Sequence, residues 1–232
     1  MTIGYCFLPA VAVRKEASHS SEMVNQLLLG DKVEILDCQH EWMLIRSLYD
    51  GYEGWVSDKQ LIDGKEIADE SFVVPTDNEM LVDGRHIKVP AGAQCSKSAL
   101  MHKTDFERNP ISIASQFLGA PYLWGGRTSM GIDCSGLTQV VYKICGIKLP
   151  RDASQQVQCG ENITLDESRS GDLAFFANDN GNIVHVGIIA DNGTIIHASG
   201  MVRQDKLDNK GIYNIERGIY THTLCKVQRI VQ

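Results

Sequence analysis

Gly131-Ile132-Asp133-Cys134-Ser135-Gly136-Leu137 follows closely on Pro121-Tyr122-Leu123-Trp124-Gly125-Gly126, so a glycine-rich loop leads into a cysteine. Beyond Cys134 the apolar residues Leu137, Val140, Val141 and Ile144 recur at helical spacing, and Gly146 supplies a stop. This pattern predicts a helix that opens at Cys134. Partial positive charge at a helix N-terminus favours the thiolate, which is the nucleophilic form of cysteine. Cys134 is therefore a candidate nucleophile whose position is expected to make it reactive.

A thiol nucleophile needs a base and a group that orients the base. His185, in Asn182-Ile183-Val184-His185-Val186-Gly187-Ile188-Ile189, and His197, in Thr194-Ile195-Ile196-His197-Ala198-Ser199-Gly200, each lie in a β-branched run that reads as a strand. Asp191-Asn192-Gly193 between them reads as a hairpin turn. A two-residue loop would set the two histidines on opposite faces. A three-residue loop, with Gly193 in the left-handed conformation, pairs Ala190 with Thr194 and Gly187 with His197, which makes the histidines diagonal neighbours on one face. The three-residue loop is the expectation.

The three blocks Asp133-Cys134-Ser135-Gly136, His185-Val186-Gly187 and His197-Ala198-Ser199 resemble those of the NlpC-type (NlpC/P60) cell-wall cysteine peptidases. Leu149-Pro150-Arg151-Asp152-Ala153-Ser154-Gln155-Gln156 resembles the family's segment after the nucleophile helix. Arg169-Ser170-Gly171-Asp172-Leu173-Ala174-Phe175-Phe176 resembles the strand that precedes the base. The likeness runs roughly from Ile111 to Gln232. It implies an α+β, papain-like domain in which a helix carrying the thiol packs on an antiparallel sheet carrying the bases.

The chain of 232 residues is longer than one such core needs. In its N-terminal third, Val11-Ala12-Val13-Arg14, Leu27 to Leu36, Trp42 to Arg46 and Gly51-Tyr52-Glu53-Gly54-Trp55-Val56 read as short strands between polar turns, a spacing that suits a small β-barrel. The Leu29-Gly30-Asp31 turn and the Gly-Tyr-x-Gly-Trp-Val block resemble the bacterial SH3-like domains that accompany NlpC-type catalytic domains. Met80 to Pro90 reads as a hairpin around Asp83-Gly84 that extends this first domain. The expected division is an SH3-like barrel with its hairpin extension over 1–100 and the peptidase domain over 101–232.

Several roles follow from the resemblance alone. In relatives of this two-domain kind the first domain contributes a tyrosine or acid that recognises the free amine of the substrate, for which Tyr52 and Glu53 are the candidates. Asp133 and Ser135 would complete that amine pocket. Tyr122 would help the Cys134 backbone N–H stabilise the oxyanion, and Arg151 would balance the α-carboxylate of D-glutamate or else serve as a surface or core-capping arginine. Asp152 and Ser154 stand beside it, although both could equally cap the next helix.

A formal charge of −7 argues against nucleic acid or anionic membrane partners, which would want a basic face. No apolar run approaches the ~18 residues of a membrane span. Seven cysteines without regular spacing suit a reducing compartment, and the opening residues lack a signal-peptide pattern, so a cytoplasmic protein is expected. A monomer is expected as well. There is no Cys-x-x-Cys or His-Glu-x-x-His, and a zinc site from Cys134, His185 and His197 is disfavoured by the helix-start setting, so no metal or cofactor is expected. The implied activity is a cysteine-type γ-D-glutamyl-L-diamino-acid endopeptidase that acts on peptidoglycan stem peptides with a free N-terminal L-Ala, in murein peptide recycling. The alternatives are an endopeptidase or amidase acting on intact wall, or a papain-like acyltransferase.

Overall fold

The computed structural model describes residues 2–63, 72–102 and 107–230. Its contacts divide the chain into two compact units, the first Met1–Phe106 with Trp124–Ser129 and the second Glu107–Leu123 with Met130–Gln232. The expected boundary at 100/101 therefore falls a few residues early, and residues 103–106 lie outside the described residues. Trp124–Ser129, expected in the peptidase domain, groups instead with the first unit. The reason is a buried ion pair: Arg127 NH1 lies 3.2 Å from Asp31 Oδ2 and donates to the Gln26 carbonyl at 2.8 Å. Gly125 assists, because a Cβ there would fall 2.8 Å from the Met23 carbonyl oxygen.

In the first unit the strands Thr2–Cys6, Ala10–Arg14, Met23–Leu28, Lys32–Gln39, Trp42–Ser47, Glu53–Ser57 and Leu61–Asp63 form one antiparallel sheet. In chain order its neighbours run third, second, sixth, fifth, fourth, first, seventh. Cys6, Val11, Val13, Leu27, Val33, Ile45, Val56 and Leu61, drawn from all seven of those strands, meet in one core. Period-two alternation is what brings them there, since Val11 and Val13 share a face that Ala10, Ala12 and Arg14 do not. The expected hairpin is present, with Val82 opposite Arg85 and both Asp83 and Gly84 at positive φ, the geometry of a type I′ turn.

The second unit holds a longer antiparallel sheet. Its strands Leu173–Ala177, Ile183–Ala190, Thr194–Ser199, Met201–Asp208, Gly211–Asn214 and Ile219–Arg229 pair in that order, and the last also pairs with the first, so the six close into a barrel. Ala174, Phe176, Ile189, Ile195, Leu207, Ile212 and Val227, which come from all six strands, fill the interior. The opposite face of the central strands bears Val186, Ile188, Ile196 and Ala198, also buried. Against these strands lies helix α2 (Cys134–Ile144), the helix expected from the spacing of Leu137, Val140, Val141 and Ile144. Two shorter helices, α1 (Pro110–Ser115) and α3 (Ala153–Gln156), flank it. Burial on both faces explains why the strand Ile183–Ala190 reads as a nearly continuous apolar run rather than as an alternation.

The hairpin that decides the site has the three-residue loop expected. Ala190 pairs with Thr194 and Gly187 with His197, while Asn192 and Gly193 both adopt positive φ. Gly187 is required at its position, because a Cβ there would lie 2.9 Å from the His197 Cβ and 2.8 Å from Ile195 Cδ1. Overpacking of a well-filled interior costs roughly 1–3 kcal/mol. Gly187→Ala should therefore lower the stability of the second unit by that order in urea unfolding and push the His197 strand outward, with a larger loss in kcat than in KM. An alanine variant as stable and as active as the parent would contradict this reading.

Candidate active site

Cys134 is the first residue of α2 and only 6% exposed. Asp133 caps the helix, accepting from the Gly136 N–H at 2.7 Å. The same carboxylate is clamped by Arg151, whose NH1 donates to Oδ1 at 3.0 Å and NH2 to Oδ2 at 2.5 Å, and Arg151 NH1 also reaches the Ser135 hydroxyl at 2.9 Å. Arg151 is 2% exposed. The carboxylate expected to face a substrate ammonium is already neutralised by a guanidinium, and the arginine expected to meet a substrate carboxylate is committed to Asp133. Asp133, Ser135 and Arg151 hold the start of the nucleophile's helix.

Position at a helix start does not make the thiol acidic here. Burial, followed by the nearby Asp133 charge, pushes the Cys134 thiol up to about 11, against smaller opposing effects of Arg151 and of hydrogen bonds from the Val186 and Ser135 backbone. Desolvation of a nearly enclosed sulfur opposes the effect of the helix start. A resting protonated thiol makes a base indispensable. The hydrogen bond from Val186 sets the sulfur beside the backbone of the residue next to His185.

His185 and His197 occupy the diagonal positions expected, and their side chains meet: His185 Nε2 lies 2.9 Å from His197 Nδ1. On the next strand Asp205 repeats the geometry, its Oδ2 3.1 Å from His197 Nε2. Hydrogen-bond complementarity orders the protons. An ionised carboxylate only accepts, so a neutral His197 bonded to it would carry its proton on Nε2 and accept at Nδ1 from His185 Nε2–H, which would leave His185 Nδ1 bare. Burial alone would raise the Asp205 carboxyl, but hydrogen bonds from His197 and Arg203 outweigh it and hold it below its ordinary value. Burial, reinforced by His222 and His197, drives His185 well below the ordinary imidazole range. Burial thus favours the uncharged form of both groups.

His222 lies flat on His185, with centroids 4.1 Å apart and 22° between the planes, and Phe176 tilts against the same ring at 5.8 Å. Burial lowers His222 to about 4. Nitrogen atoms of His185, His197 and His222 lie within 4.8 Å of one another. Ring lone pairs lie in the ring planes, so two stacked imidazoles do not converge on one ion without turning, and His185 Nε2 is already engaged with His197. The arrangement suits proton transfer better than metal ligation.

Tyr122 stands near Cys134. Burial, then the charges of Cys134 and Asp133, raise its hydroxyl to about 12, so it remains a donor. Asp152 opens α3, where its N–H donates to Gln155 Oε1 at 3.4 Å in a capping box, and Ser154 is exposed on that helix. Tyr52 and Glu53 belong to the first unit, where Glu53 is paired with Arg46 at 2.7 Å. Sequence reasoning missed Asp205 and His222. The signal for Asp205 was a carboxylate in step with Leu207 on the inward face of an otherwise alternating strand.

Two outcomes follow. Arg151→Met leaves a buried carboxylate unpaired and should cost about 3–5 kcal/mol in the unfolding of the second unit. A fully stable variant with only a raised KM would return Arg151 to substrate binding. Because His185 is depressed, it stays competent as a base until the pH falls well below 6.5, so the rate of Cys134 alkylation should hold down to that point and be lost only below it. An acid limb at or above pH 6.5 would contradict the buried neutral base.

Comparison with known proteins agrees with this geometry. Residues 119–221 match the NlpC/P60 family and residues 9–62 the bacterial SH3 domain. The chain is 28% identical over 228 residues to the gamma-D-glutamyl-L-lysine dipeptidyl-peptidase of Bacillus cereus, covering 78% of this chain and 68% of the relative. It is also 28% identical over 241 residues to the protein of the same name in Bacillus subtilis, covering 88% and 80%. In fold it is similar to a crystal structure of an NlpC/P60 family protein from Bacillus cereus, with TM-score 0.83 and 20% identity over 99% of this chain and 100% of the other. With a thiol at a helix start and a histidine pair on the adjoining barrel, residues 119–221 form an NlpC/P60 domain, and residues 9–62 form a bacterial SH3 domain on its N-terminal side.

Proposed function

We propose that the protein hydrolyses the γ-D-glutamyl-L-diamino-acid bond of peptidoglycan stem peptides that present a free N-terminal L-Ala. The observation that carries the amide chemistry is the hydrogen-bonded row of His185, His197 and Asp205 beside a buried thiol. The substrate class is supported by the two relatives named gamma-D-glutamyl-L-lysine dipeptidyl-peptidase, whose likeness extends over most of both chains.

The residues perform the reaction in two stages. His185 Nδ1 takes the proton of the Cys134 thiol as the sulfur attacks the γ-carbonyl carbon of D-glutamate. The oxyanion is received by the Cys134 N–H, free at the first turn of α2, and by the Tyr122 hydroxyl. The imidazolium returns its proton to the departing amine as the C–N bond breaks, leaving a thioester. Water, deprotonated by the same nitrogen, attacks the thioester, and the proton returns to the sulfur. Lysine and diaminopimelate both fit this chemistry. The seven cysteines are all unpaired, which supports work on released peptides in the reducing cytoplasm.

Mass spectrometry of L-Ala-γ-D-Glu-diaminopimelate, its lysine counterpart and an N-acetylated copy of each tests the proposal. The expected products are L-Ala-D-Glu and the free diamino acid, from the free-amine peptides only. Equal cleavage of the acetylated copies would remove the free-amine requirement, and a new amide formed with an added amine would favour acyl transfer. Cys134→Ala should lower kcat by at least about a thousandfold without loss of peptide binding.

A further inference from the structure

We propose that Asp205 is a positioning residue that acts through His197: its carboxylate sets the proton order of the histidine pair so that His185 Nδ1 is left bare to take the proton of the thiol. The inference rests on the reading of Cys134 and His185 as nucleophile and base, and it needs no particular substrate.

Three neighbouring strands put the groups in line. His197 is paired with Gly187 on one side and with Arg203 on the other, so His185 and Asp205, each two residues from those partners, reach it diagonally on the same face. Asp205 is buried, and Arg203 fixes it by donating from Nε to Oδ2 at 2.7 Å and from NH2 to Oδ1 at 3.1 Å. Arg203 is itself held by Glu216 at 3.0 Å. Among the described residues, His222 from the last strand also stands against both histidine rings, and the Cys134 sulfur lies by the backbone of Val186, next to His185. His222 stands edge-on to His197, 5.8 Å between centroids, and its Nδ1 is 2.9 Å from the Thr221 hydroxyl. Of these groups, Asp205 is the one within hydrogen-bond distance of His197 Nε2 in the structure described.

Proton movement stays balanced. When the S–H bond breaks, the proton binds His185 Nδ1, and the resulting imidazolium keeps donating from Nε2 to His197 Nδ1. His197 keeps donating from Nε2 to Asp205, which remains a carboxylate throughout. Positive charge formed at His185 is thus met by a fixed negative charge one residue away in the row.

An amide at this position breaks the order. Both Asp205 oxygens accept from Arg203, so an Asn side chain must turn its NH2 toward one of those donors. If the NH2 also faces His197, that ring must accept at Nε2 and donate from Nδ1, which forces the His185 proton onto the nitrogen that should be bare. If the oxygen faces His197, the order survives but the charge is gone.

The test compares wild type with Asp205→Asn. Iodoacetamide modification of Cys134 at pH 7, read by peptide mapping against the exposed Cys38 in the same molecule, should slow at least about tenfold relative to Cys38. Turnover of a cleaved peptide should fall by about a hundredfold or more with KM nearly unchanged, the range general-base assistance supplies. The alkylation readout does not depend on the substrate, so its result separates failure of this inference from failure of the proposed reaction. Nitrogen-15 NMR of histidine-labelled wild-type protein should place the protons of both His185 and His197 on Nε2, a measurement that stands even where the variant does not fold. A folded Asp205→Asn protein that alkylates and turns over within about threefold of wild type, or a wild-type His197 protonated on Nδ1, would overturn the assignment.

Discussion

The chemistry of the second unit depends on one contact repeated between strands, the diagonal approach of side chains on one face of a sheet. His185 reaches His197 and His197 reaches Asp205 by the same step, because each pair sits two residues off a direct cross-strand partner. That step works only in this register, and only because Gly187, directly opposite His197, offers no Cβ to hold the strands apart. One residue of slip would set the two histidines on opposite faces of the sheet. The three-residue turn at Asp191–Gly193 is therefore as much a part of the site as the rings it aligns.

Burial gives the site its electrostatic character. Cys134 and His185 are both enclosed, and enclosure disfavours the charged form of each, so the thiol rises while the imidazole falls. Both shifts favour the uncharged pair, between which a proton passes at the moment of attack. The fixed charges lie one layer out and are all compensated. Asp133 is met by Arg151 at the helix start, and Asp205 by Arg203 and the His197 N–H in the barrel. Such a layout keeps the helix and the histidine row rigid while leaving net charge away from the reacting atoms.

Much of this was legible in the sequence. The apolar stripe after Cys134 located α2 within a residue, and the β-branched runs around His185 and His197 located their strands. A parity argument over the loop between them even settled the register. What misled was electrostatics. A helix start suggested an acidic thiol, and a carboxylate and a guanidinium near the nucleophile suggested open hands for the substrate; in the structure the thiol is raised and those two groups hold each other. Each depends on how much water is excluded and on which group is nearest, and neither quantity is written in residue order. Trp124–Ser129 misled for the same reason, since Arg127 finds its partner Asp31 far away in the chain.

By itself, then, the sequence determined the local elements, the helix start at Cys134, the register that sets His185 and His197 on one face and the two-domain pattern, because helical and strand periodicities and turn chemistry act over a few residues. The tertiary structure alone decided that the sheet closes into a barrel, that Asp205 completes the row, that His222 covers His185 and that Arg151 serves Asp133. Those outcomes come from contacts between residues remote in the chain and from burial, and both exist only once the strands have closed around a common interior.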